Sequence, residues 1–354
     1  MTDPQVDLVI ACHNPTRPVG RAVASVIGGT KSPVRVTIVA HNIPARDVCA
    51  VIPEALRDRV RYLELADGIH SPAGPFALGI REATAPWVSI MGSDDWLQSG
   101  AIDAWLSHSA GADAVIPCLI HDTGKPVHTP PVRPGWHKWR EPVKDRLFYR
   151  SAPLGLMRKE FLVDEDIGFS EDVPVGSDLE FSVALFGHGR VRVQRSGAAY
   201  VIGSSAGDRV TMSLAPLKHE LQHVDALWNG VAQSLSSAAT IALGAKSLRI
   251  HIFGAAYYRA QAGQWLEGDR EEIARAARVI LSGAPGCELP LSRADRDLLD
   301  GLLNTKVSDT EINRLALARR KFGRLNTLLP RDLGQTLHRE APLRFMAASA
   351  LVRG

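Results

Sequence analysis

Three stretches of this chain carry residues whose types and spacing suit chemistry. In WVSIMGSDDWLQSGAIDAWL, the adjacent carboxylates Asp94 and Asp95 follow directly on an apolar run. Neighbouring carboxylates repel and lose hydration together, so an uncompensated pair is costly. A divalent cation bridging to a phosphate removes that cost, and hard oxygen donors suit Mg²⁺ or Mn²⁺. The competing reading is a helix N-cap, a position that favours Asp. A cap accounts for one acid more readily than for two. In FSEDVPVGSDLEFSVALFGHG, Asp178 stands between a Gly-Ser turn and a helical pattern, so a cap and a catalytic carboxylate are both open. The third stretch, LKHELQHVDALW, contains His219-Glu220-Leu221-Gln222-His223, an H-E-x-x-H pattern. On one helix residues four apart share a face, and such a histidine pair binds Zn²⁺ while the glutamate activates water. Position 226 is Ala, and Glu267 and His251 are the candidates for a third ligand. The alternative is a solvated helix face.

The elements that position these residues alternate up to about residue 215. Apolar, β-branched runs at 6–11, 34–40, 59–65, 87–92 and 112–117 predict strands of the kind buried in a parallel sheet. RPVGRAVASVI between the first two and FALGIREATA between the third and fourth predict helices, as do the residues after Ser99 and 179–187. Strand–helix–strand alternation implies right-handed βαβ units in an open α/β sheet. In such sheets ligands bind outside the carboxyl ends of the strands, where Asp94 and Asp95 fall. Residues 121–150 hold five prolines and two glycines, so they predict a loop. Its Trp136 and Trp139 either pack that loop down or form a platform for a flat ligand.

Beyond residue 215 strand signals stop. Ala- and Leu-rich stretches at 214–228, 234–248, 251–266, 269–281, 292–303 and 308–322 predict a second, all-helical domain. Ser308 with Glu311, and Ser292 with Asp295, mark two helix starts. The expected domains are therefore 1–215 and 216–354, the second shaping an acceptor site or a contact between copies of the chain.

Composition excludes several classes. The chain has 354 residues, 45% hydrophobic and 22% charged, which is globular rather than disordered or fibrous. Its 41 basic and 38 acidic residues leave a formal charge of +3, too weak to suggest nucleic acid. No apolar run approaches the ~20 residues of a membrane span, and MTDPQVDLVIACHNP lacks secretory character. Cys12, Cys49, Cys118 and Cys287 lie far apart and read as reduced thiols, so a cytoplasmic location is expected. The positive charge is concentrated at the end, with nine Lys and Arg from Arg314 onward against Asp332 and Glu340. That end is either a solvated face or a surface for anionic lipid or an anionic polymer.

The order of these pieces resembles the family 2 glycosyltransferases, whose catalytic domain has the GT-A fold. That family opens with a strand, an Asn and a helix ending in Ser-Val or Ser-Ile; VDLVIACHNPTRPVGRAVASVIGGT matches at Asn14, Ser25 and Val26. A second strand, VTIVAHN, follows, then SPAGPFALGIREATAPWVSIMGSDD where the family has Ala-Arg-Asn-x-Gly, a strand and Asp-x-Asp-Asp. Some eighty residues later the family has Glu-Asp and an amphipathic helix. The resemblance covers residues 5–211.

It implies an inverting transfer of sugar from a nucleotide-diphosphate sugar to a hydroxyl of a glycan, polymer or protein. Asp94 matches the last Asp of Asp-x-Asp, which holds a divalent metal (Mn²⁺ or Mg²⁺) on the diphosphate, with Asp95 beside it. Asp178 matches the general base that takes the acceptor proton. Ala11, Asn14 and Asn42 fall where the family contacts the nucleotide, and Arg209 where a closing loop brings a cation to the diphosphate. The chain departs from the pattern at Gly92 for the first Asp, Ala40-His41 for the acid that reads the base, Pro75-Phe76-Ala77 for Ala-Arg-Asn, and Ser177 for Glu. These departures keep a non-catalytic nucleotide- or carbohydrate-binding relative open as an alternative, alongside the zinc hydrolase.

Overall fold

A computed structural model describes the chain except residues 1–2, 136, 171–175, 205–214 and 354. It divides into two compact units. The first comprises Met1–His128, Lys138–Arg140 and Ser151–Thr211, and the second Thr129–His137, Glu141–Arg150 and Met212–Gly354.

The first unit is built on strands β1 (Val6–Cys12), β2 (Val34–His41), β3 (Val60–Leu65), β4 (Trp87–Gly92), β5 (Trp96–Leu97), β6 (Ala114–Ile116), β7 (Leu119–His121), β8 (Leu156–Arg158), β9 (Val191–Val193) and β10 (Tyr200–Ile202). Its helices are α1 (Val19–Gly29), α2 (Ala45–Val51), α3 (Glu54–Arg57), α4 (Ala73–Arg81), α5 (Ala101–Ser107), α6 (Lys159–Asp164) and α7 (Ser177–His188). Seven strands form one sheet in the order β3-β2-β1-β4-β8-β6-β9, and β5-β10-β7 form a smaller one. β3, β2, β1 and β4 are parallel, and β8 runs antiparallel to both its neighbours.

The order 3-2-1-4 has a consequence for binding. From β1 the chain moves outward to β2 and β3, then returns to place β4 on the other side of β1. Such a reversal opens a crevice at the carboxyl ends of the two central strands. The central strands are buried on both faces: Val6, Leu8, Val9 and Ile10 of β1 are fully inaccessible. At the opposite, amino end, buried Asp7 accepts from Arg35 Nε (2.5 Å) and Nη2 (2.6 Å) and from the N–H groups of Thr84 (2.7 Å) and Ala85 (2.8 Å). That acid is fully occupied in fixing the sheet.

The second unit is helical: α8 (Leu217–Glu220), α9 (Gln222–Asn229), α10 (Ser237–Ser247), α11 (Phe253–Ala262), α12 (Asp269–Gly283), α13 (Arg293–Leu303), α14 (Asp309–Ala318), α15 (Leu325–Leu328) and α16 (Pro342–Arg353). Both expected caps are present, with Ser292 Oγ accepting from Asp295 N–H at 3.0 Å and Ser308 Oγ from Glu311 N–H at 3.3 Å. Among the described residues no helix is long and apolar enough to cross a membrane.

Two pieces of the proline-rich stretch belong to this helical unit rather than to the α/β unit. Asp145, with no exposed surface, accepts from the Arg133 guanidinium (2.7 Å) and the N–H groups of Arg133 (2.9 Å) and Glu141 (2.8 Å), closing that segment on itself. Trp139 stays with the first unit, where it packs beneath Arg190 and Arg192. Packing therefore accounts for it, while Trp136 lies outside the described residues.

Candidate active site

The site is assembled from the carboxyl ends of four adjacent strands. Register places Ala11 of β1 opposite Gly92 of β4, so the residues after both strands emerge side by side at the reversal. Asn14 follows β1 and closes a turn, its Oδ1 accepting from Thr16 N–H (2.9 Å) and Oγ1 (2.8 Å). The turn feeds α1, whose flanking Arg17 brings Nη1 to 3.5 Å from Asp94 Oδ1. Arg21 donates to the Asp94 carbonyl at 2.6 Å while its guanidinium lies 3.7 Å over the Trp96 ring. Asp94 is thus a nearly buried carboxylate, 8% exposed, with a guanidinium beside it.

Asp95 points elsewhere. Its Oδ2 accepts from Tyr200 Oη at 2.5 Å and its Oδ1 from Gly203 N–H at 2.8 Å. Burial first, and the Asp95 charge second, raise the Tyr200 phenol well above its ordinary pKa, so it stays a donor. The same oxygen accepts from Gly92 N–H at 3.2 Å, tying β10 to the end of β4. This accounts for glycine where the family has its first Asp. A Cβ on Gly92 would stand 2.7 Å from Asp95 Oδ2 and 3.1 Å from Asp94 Oδ1, so the folded-back carboxylate occupies that space. Gly203 is fixed in the same way, since a Cβ there would fall 2.1 Å from the Asp94 carbonyl oxygen.

Asn42 sits one residue past β2 in a left-handed conformation (φ 58°). Its amide donates to Asp67 Oδ1 and the Ile69 carbonyl, both at 3.2 Å, and its Oδ1 accepts from Gly68 N–H at 2.9 Å. His41 Nε2 lies 2.8 Å from the same Asp67 oxygen, which also accepts from Ile69 N–H at 2.9 Å. Burial pushes the Asp67 carboxyl upward, but the Ile69 N–H, His41 and Asn42 outweigh it and hold the pKa below the usual range. An acid after β3 is thus held beside the end of β2 by His41 and Asn42. Sequence reading passed over Asp67 because its partners lie 25 and 26 residues away; an acid-glycine pair closing a strand beside His-Asn was the available signal.

Asp178 stands in the first turn of α7. That helix is held by Phe181, which stacks on Phe169 at 4.5 Å between ring centroids; Phe169 meets Phe76 of α4 at 5.8 Å. Phe76 stands where the family has arginine, and here it links α7 through Phe169 to a helix that packs on β1 and β2. Arg209 lies outside the described residues.

As a protein ligand for a divalent ion, Asp94 fits: one carboxylate at a strand end, completed by phosphate oxygens and water, is an ordinary Mg²⁺ arrangement. Asp95 Oδ2 and Oδ1 each already accept one hydrogen bond, from Tyr200 and Gly203, so any coordination by Asp95 would use the second lone pair of an oxygen held in place.

The H-E-x-x-H pattern is broken. Leu221 (φ −101°, ψ 6°) ends α8, and α9 starts afresh at Gln222. His219 is exposed, whereas His223 is buried against His251 with ring centroids 4.6 Å apart. Glu220 accepts from Arg259 Nη1 at 2.9 Å and Ala215 N–H at 3.2 Å. Lys246 Nζ stands 2.7 Å from His251 Nε2, a cation where a metal would need to be. Glu267 lines a surface depression with His219, not with His223. Among the described residues no group of three His, Cys, Asp or Glu could hold a metal, and the zinc hydrolase is set aside.

No protein-family model matches the sequence, and no curated protein matches it. Solved structures match in fold. S. aureus TarS 1–349 in complex with UDP-GlcNAc aligns with a TM-score of 0.74 over 89% of this chain and 91% of that one, at 14% identity. The same protein in complex with UDP gives 0.70 at the same identity and coverage. A longer S. aureus TarS chain gives 0.71, and here the match spans only 55% of its length. The α/β architecture with its helical continuation is therefore a GT-A-like fold.

Proposed function

We propose that this chain is a glycosyltransferase that moves a sugar, with inversion, from a nucleotide-diphosphate sugar to a hydroxyl acceptor. The observation that carries the reading is the Asp94–Asp95 turn at the β1/β4 reversal of a GT-A-like sheet. Ala11 and Asn14 line the nucleotide side of that crevice. Asp67, preorganised by His41 and Asn42, presents an acceptor-only group suited to a nucleobase N–H. The structures containing UDP-GlcNAc and UDP make a uridine donor the first to test.

Asp94 would hold a Mn²⁺ or Mg²⁺ ion, which supplies charge neutralisation on the departing diphosphate. Arg17 and Arg21 add fixed positive charge beside it, and Asp95 sets the shape of the turn through Tyr200 and Gly203. Asp178 accepts the acceptor hydroxyl proton as that oxygen attacks the anomeric carbon from the face opposite the diphosphate. Arg209, in the segment after Gly203, would bring a further cation to the diphosphate.

The test is donor consumption by the wild type and by Asp178→Asn. Loss of a general base lowers turnover by ~10²–10⁴-fold while nucleotide binding persists. Nucleotide binding without any turnover in the wild type would instead favour the non-catalytic relative, the reading to which Gly92 and Phe76 point.

A further inference from the structure

The end of the helical unit carries a feature that sugar transfer does not use. From Ile312 to Arg331 there are six basic residues and no Asp or Glu. From just after α14 into the first turn of α15, every residue of Arg320–Asn326, RKFGRLN, is exposed. Phe322 is 69% and Leu325 73% exposed, three positions apart and interleaved with Arg320, Lys321 and Arg324.

This knob is built rather than frayed. Gly323 turns the chain in a left-handed conformation (φ 86°). Behind it the buried Thr327 hydroxyl accepts from Arg324 N–H at 3.2 Å and donates to the Arg324 carbonyl at 2.9 Å. Arg320 lies over both Tyr257 (4.9 Å) and Phe322 (5.6 Å), holding the ring outward. Arg320, Lys321 and Arg324 are in no ion pair among the described residues, unlike Arg319, which turns inward to Asp295 at 2.8 Å.

We infer that Arg320–Leu325 is a docking surface for an anionic lipid bilayer, with Phe322 and Leu325 entering the headgroup region and the three cations meeting lipid phosphates. The two exposed apolar side chains distinguish a bilayer from a soluble polyanion, which would require only the charges. The inference is independent of the sugar-transfer reading.

The experiment is flotation of the full chain with vesicles of phosphatidylcholine, alone or with roughly one-third phosphatidylglycerol, at low and high salt. Binding confined to the anionic vesicles and weakened by salt is expected. The triple variant Arg320→Glu/Lys321→Glu/Arg324→Glu should weaken it by about a hundredfold or more, at roughly fivefold per basic residue. Phe322→Ser/Leu325→Ser should weaken it further at fixed salt, with an unchanged melting temperature because both side chains are exposed. Equal binding to neutral vesicles, or none to either, would overturn the inference. So would binding to soluble polyphosphate that the Phe322/Leu325 variant leaves intact, or a dimer in solution that the same variant dissolves.

Discussion

Asp94 and Asp95 are neighbours in sequence with different surroundings: one lies beside guanidinium groups, and the other folds back onto a phenol and a backbone amide. The second arrangement explains Gly92, and it makes a prediction contrary to motif matching. Introducing an acid by Gly92→Asp places a Cβ against Asp95 and breaks its bond to the buried Tyr200. Leaving such a buried donor unpaired costs about 1–3 kcal/mol. The variant should melt several degrees lower and show no gain in turnover; an unchanged melting curve would mean that Asp95 is not held as described. At this scale the sequence was partly legible. Asp94, Asp95 and Asn14 stood out because they follow strands, but Tyr200 reaches Asp95 across 105 positions that no local pattern connects.

Among the elements, β1 to β4 and β6 were legible as continuous apolar runs. β5, β7, β8, β9 and β10 were not, because two or three residues are too few to show a period. Up to α14 the helices after 215 were legible from composition, periodicity and caps, but α15 and α16 lie beyond the predicted stretches, and the break at Leu221 was hidden because Leu is an ordinary helix residue. That break leaves His223 buried between elements. Burial first, and nearby Lys246 second, lower its pKa to about 4, and the same causes push that of His251 well below its usual value. Both histidines are therefore neutral when folded, while the unfolded chain binds protons below about pH 6.5. The resulting stabilisation is complete above that pH and is lost as the pH falls, amounting for His223 to about 3 kcal/mol near pH 4. Circular dichroism melts at pH 7.5 and ~4.5 should show the wild type losing more stability than His223→Phe. Equal losses would show that this ring does not titrate as its burial requires.

For the whole molecule, the β1/β4 reversal sets the carboxyl ends of two central strands side by side. In the proposed function the nucleotide is contacted from the β1 and β2 ends, and the acidic turn follows β4. The central claim is that a nucleotide diphosphate binds there through Asp94 with a divalent ion. A ligand that binds only the folded state raises its melting temperature, by about 2.7 kcal/mol of stabilisation at a hundred times Kd. The most direct measurement is thermal unfolding of the wild type and Asp94→Ala with UDP and UDP-GlcNAc, with and without Mn²⁺. A nucleotide-dependent rise of a few degrees that requires Mn²⁺ and disappears in Asp94→Ala is expected. A rise of equal size in Asp94→Ala, or none with any nucleotide diphosphate, would contradict that claim.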